Sequence, residues 1–151
     1  MDRRIIASLV ALGALAACAH EGAAPPTDMT WSLTSTPGEG VKLGYGEDDT
    51  DNLVLMLICQ PKSGEVQVWL MGATVARATS LVLSSGTRSA RFPARRNEDG
   101  YEMLRAAATA DDAVFTSFAA TGSLGFSVDG RRTVLPGAGG DARKFVASCR
   151  R

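Results

Sequence analysis

Apolar and polar residues alternate through the first half of the chain. In "TWSLTS" Trp31 and Leu33 share one parity, and in "VKLGY" Val41, Leu43 and Tyr45 do the same. A period of two sets one row of side chains on a core and the other toward water, so each segment reads as a half-buried strand. "NLVLMLIC", from Asn52 to Cys59, is an unbroken apolar run and predicts a central strand covered on both faces. "PKSG" turns the chain, and "EVQVWLM" resumes the alternation at Val66, Val68 and Leu70. "TSLVLSSG" and "TRSARF" form a further strand pair joined around Ser85 and Gly86, and the tract from Asn97 to Gly100 is polar and turn-like. "YEMLRAAATA" is undecided: its residues favour a helix, but it is short and sits among strands.

The period then changes. Asp111 and Asp112 offer an N-cap to "AVFTSFAATG", where Val114, Phe115 and Phe118 fall on one helical face and Gly122 is a stop signal. "SLGFSV" and "RRTVL" flank Asp129-Gly130, a favoured two-residue hairpin turn. After "LPGAGG", the stretch "GDARKFVASCR" starts at the cap candidate Asp141 and carries Phe145, Val146 and Cys149 on one stripe. The expected fold is α+β: a curved antiparallel sheet with a short helix near 112–121 and a C-terminal helix near 141–150. An all-β barrel or sandwich is the alternative if the helices fail.

The first twenty residues follow neither period. Arg3 and Arg4 precede thirteen uncharged residues, Ile5 to Ala17. That is short of the roughly 20 residues needed to span a bilayer, and within the roughly 7–15 residues of a secretory signal's apolar region. Leu15-Ala16-Ala17-Cys18 resembles the lipobox of bacterial lipoproteins. The resemblance implies cleavage before Cys18, lipid on its sulfur and an acylated new amino terminus. Ala19 follows the cysteine, which by likeness to Gram-negative lipoproteins implies the periplasmic face of the outer membrane. On this reading residues 1–17 are the signal peptide, 18–30 a lipidated flexible tether and 31–151 a single globular periplasmic domain. The lone histidine, His20, falls in the tether.

Processing leaves 134 of the 151 residues. The whole chain has 16 basic and 16 acidic residues; losing Arg3, Arg4 and Asp2 leaves 14 against 15, a formal charge of −1. Without a basic excess there is no electrostatic reason to expect nucleic acid. The basic cluster Arg88, Arg91, Arg95 and Arg96 and the acidic cluster Glu47, Asp48, Asp49 and Asp51 read as solvated loops and strand faces. With Cys18 lipidated, Cys59 and Cys149 remain as the one available pair, and an oxidising periplasm favours a disulfide between them. There is no C-x-x-C and no histidine outside the tether, so neither a metal site nor a cofactor is expected.

Candidate chemistry is sparse. A Ser-His-Asp or Cys-His arrangement lacks its base. Carboxylate pairs that could serve a small hydrolase are found in the 47–51 cluster, at Glu98/Asp99 and at Asp111/Asp112, each beside turn or cap residues. "DDTDN" alternates aspartates but lacks the glycine and glutamate of a calcium loop. "GAGG" at 137–140 is followed by Asp141, not by the lysine of a phosphate loop. "LSSGTRSARF", residues 83–92, is loosely similar to the Ser-Gly-x-x-Tyr tract of membrane-bound inhibitors of c-type lysozyme, with Ser89 at the tyrosine position. That likeness implies an inhibitor loop at Ser85, Gly86 and Arg88. The mature pattern as a whole looks like uncharacterised lipoproteins of alphaproteobacteria, through the Trp31 strand, Gly44-Tyr45-Gly46, Cys59 before "PKSGEVQV" and the closing Phe145 to Cys149. The expectation is a non-catalytic, lipid-anchored binding or envelope-maintenance module. Its partners are the membrane, through the lipid, and an envelope protein. A hydrolase inhibitor and a carboxylate hydrolase are the competing readings.

Overall fold

The computed structural model describes residues 28–48, 50–72, 78–97 and 102–151. Strands β1 (Met29–Thr36), β2 (Gly40–Glu47), β3 (Leu53–Cys59), β4 (Glu65–Met71), β5 (Ser80–Ser85), β6 (Arg88–Arg96) and β7 (Met103–Thr109) come first. Helix α1 (Ala113–Thr121), strands β8 (Gly125–Val128) and β9 (Arg131–Val134), and helix α2 (Gly140–Cys149) complete the order. The nine strands form one antiparallel sheet in the order β1-β2-β3-β4-β7-β6-β5-β8-β9, curled into a half-barrel. This is the curved sheet with two short helices that the periodicities predict.

Alternation decides which face is which. Leu43 and Tyr45, Leu55 and Leu57, Val66, Val68 and Leu70, Leu81 and Leu83, and Leu104 all point inward and are essentially inaccessible. Helix α1 packs on β5 and β6, α2 packs on β1 and β2, and the two helices touch. Phe115, Phe118 and Phe145 fill the hollow of the curl. Burying each such side chain contributes about 1.5–3 kcal/mol, enough to hold helices too short to be stable in water.

Local chemistry sets the ends of the elements. Asp112 caps α1, its Oδ1 accepting from the Val114 amide at 3.0 Å. Gly122 ends the helix at φ 70°, and a Cβ there would stand 2.9 Å from the Gly139 nitrogen. The β8–β9 turn has Asp129 at φ 49° and Gly130 at φ 77°, the paired left-handed geometry of a type I′ hairpin. At the far end of α2, the carbonyls of Ser148 and Cys149 accept from the amides of Lys62 and Gly64 in the β3–β4 connection, each at 2.8 Å. A disulfide between Cys59 and Cys149 closes the same corner across 90 residues, with the two Cα atoms 5.6 Å apart.

Two details differ from the sequence expectations, and one open question is decided. Among the described residues β3 is covered on its inner face alone: Met56 and Ile58 look outward and are half-buried, and no second layer of described residues lies over that face. The undecided segment is a strand, β7, because pairing to both β4 and β6 outweighs the helix preference of its alanines. Asp141 does not cap α2. Gly139 takes that position without a side-chain bond, and Asp141 pairs instead with Lys144 at 2.9 Å.

A candidate binding groove on the outer sheet face

Strands β4, β7 and β6 lie side by side, and their outward rows meet. Trp69 is the cross-strand partner of Arg105, and Arg105 is the partner of Arg95. The Arg105 guanidinium carbon lies 4.6 Å from the Trp69 ring centroid, a cation–π contact. The Trp69 indole N–H donates to Gln67 Oε1 at 3.3 Å, which leaves the amide NH2 of Gln67 as a donor. Pro93 and Ala107 are too small to fill the space between these side chains. The result is a groove of about 690 Å³, with Asn97 at its end. Among the described residues, neither Arg95 nor Arg105 forms an ion pair. Like charges directly opposite on neighbouring strands are destabilising, and the described residues leave the positive charge here unbalanced.

Sequence reading places Arg95 in a basic cluster but misses Trp69 and Arg105. One signal was available: with Val66, Val68 and Leu70 inward, Trp69 has to be outward, and an outward tryptophan in a strand lacks a core explanation. Arg105 had no such signal, because its segment could be either helix or strand.

The other candidates are dispersed. Ser85 is 2% exposed. Its hydroxyl shares a hydrogen bond of 3.1 Å with that of Thr121, and its carbonyl accepts from Ser117 Oγ at 2.8 Å. A serine that enters a partner's cleft would first have to leave α1. Gly86 sits in the turn and Arg88 is exposed, bordering a shallow depression of about 510 Å³ with Thr87, Asp111 and Ser117. Thr30 donates to Asp48 at 2.7 Å and Asn52 to Glu47 at 3.3 Å in the β2–β3 connection. Asp111 pairs with Arg150 at 3.3 Å, and Arg150 also donates to Thr116 at 2.6 Å. Among the described residues no three His, Cys, Asp or Glu side chains gather as a metal site would require, and no helix is long and apolar enough to cross a membrane. Cys18, His20, Asp49, Glu98 and Asp99 lie outside the described residues.

Two groups depart from their ordinary acidity. The Lys42 ammonium, hydrogen-bonded to Glu39, lowers that exposed carboxyl. Burial raises the Tyr45 hydroxyl above its usual 10.0; it is also the one described side-chain group that is buried without a hydrogen-bond partner.

Comparison with known proteins returns no relationship: no family model fits the chain, and no curated protein and no solved structure matches it.

Proposed function

We propose that this chain is a lipid-anchored binding module facing the periplasm, without catalysis of its own, and that it binds through the outer groove at Trp69, Arg95 and Arg105. The observation that carries the binding role is the pair of adjacent arginines without a counter-charge among the described residues, one of them already laid on an indole. Exposed like charges kept side by side are a cost to folding, and a bound anion would relieve it. The anchor rests on Leu15-Ala16-Ala17-Cys18. Small residues before a thiol suit cleavage and acylation, and two or three acyl chains hold a protein where one alone is marginal.

The anchor and the groove are tested separately. Metabolic palmitate labelling should mark the wild type and not Cys18→Ser; a label that survives the substitution defeats the anchor. A photo-crosslinking side chain at Gln67, in the lining of the groove, should give adducts in cells that the same side chain at Lys144, on the helical side, does not. Equal adducts at both positions would remove the groove from the proposal.

A further inference from the structure

Resting on that binding role, the geometry points to a dicarboxylate as the ligand of the groove, one carboxylate for each of Arg95 and Arg105. Arg105 is already held in place. Its guanidinium carbon sits over the Trp69 ring, and among the described residues no ion pair takes its N–H groups, whose planar fork can receive both oxygens of a carboxylate. Arg95 stands opposite on the next strand. Trp69, which holds the Arg105 guanidinium, is on the strand at the other side of β7 from Arg95, two strand spacings of about 4.8 Å away, so the two cations are rooted apart and suit two anionic groups joined by a short carbon linker. The neutral lining adds a donor, since the Gln67 carbonyl is taken by the indole and its NH2 remains. Donors therefore dominate the rim, which suits an oxygen-rich anion.

The shape narrows the class further. The groove is open on one side, Pro93 and Ala107 are among its lining residues, and its volume of about 690 Å³ is in the range of small-molecule sites.

The test is calorimetric titration of the full-length protein in detergent with succinate, acetate and inorganic phosphate at matched ionic strength. Succinate should bind roughly tenfold or more tighter than acetate, the discrimination expected from one additional charge-assisted contact. Arg105→Lys keeps the charge but loses the planar fork, and should weaken succinate by roughly tenfold while leaving thermal unfolding unchanged; Arg95→Ala should reduce succinate to the level of acetate. Equal responses to succinate and acetate that fall together with added salt would overturn the assignment, as would wild-type affinity in Arg105→Lys. Phosphate binding tighter than succinate overturns the dicarboxylate as well. If Gln67 adducts persist in any of these cases, the binding role survives and only the ligand class is lost.

Discussion

Tyr45 is the residue whose chemistry and surroundings agree least. Its ring is well placed, 5.4 Å from the Trp31 centroid at 53°, while Trp31 donates its indole N–H to the Pro136 carbonyl at 2.7 Å. The Tyr45 hydroxyl has no such partner. A buried hydroxyl left unpaired costs about 1–3 kcal/mol. Tyr45→Phe keeps the ring and removes that cost, so denaturant unfolding should show a gain of about 1 kcal/mol. The same hydroxyl sets a pH dependence. Burial raises its pKa in the fold above the ordinary 10.0, so the unfolded chain releases the proton first. Stability is then intact below about pH 10 and falls as the pH climbs past it. In Tyr45→Phe that alkaline decline should be smaller, as thermal melts from pH 8 to 11 would show. The inward parity of Tyr45 was readable from "VKLGY". The orphaned hydroxyl was not, because it depends on which groups of other elements close over the ring. Ser85 carries the same lesson. Its Ser-Gly context suggested an exposed loop, yet it continues the inward row of Leu81 and Leu83, and only α1 supplies the hydroxyl that satisfies it.

The two aspartates that the sequence offers as caps separate cleanly as elements of structure. Asp112→Ala removes the bond to the Val114 amide and should destabilise the protein by about 1 kcal/mol, within the 0.5–2 kcal/mol known for such caps. Asp141→Ala breaks only a partly exposed i,i+3 pair with Lys144 and should stay within about 0.5 kcal/mol of the wild type. Paired chemical denaturation curves check both. Both helices were legible because their apolar residues recur at helical spacing between Gly and Asp signals. β7 was not. Alanine is permissive enough for the sheet to recruit the segment, and the neighbours that do so, β4 and β6, come earlier in the chain with β5 between them. The groove was lost with it, since two of its three defining side chains meet only across β7.

At the scale of the molecule, the covalent link between β3 and α2 is the largest single constraint. Reduction should lower stability by roughly 2–5 kcal/mol, measured as the shift in denaturant midpoint with and without dithiothreitol. An appreciably smaller shift would mean that the amides of Lys62 and Gly64, holding the end of α2, already keep that corner closed. The curled sheet and its core follow from residue pattern. The way the strands wrap back, β4 beside β7 and β5 beside β8, does not, because apolar rows of equal parity could pair in several orders.

That covalent link also decides how the molecule answers a pull. β1, β2 and all of β3 but Cys59 itself lie outside the 90-residue ring; β4 to β9 and both helices lie within it. Tension applied between the two ends of the chain can peel away β1, then β2, then β3 as far as Cys59, strand by strand from one margin. Beyond them it runs through sulfur, and the strands of the groove stay slack.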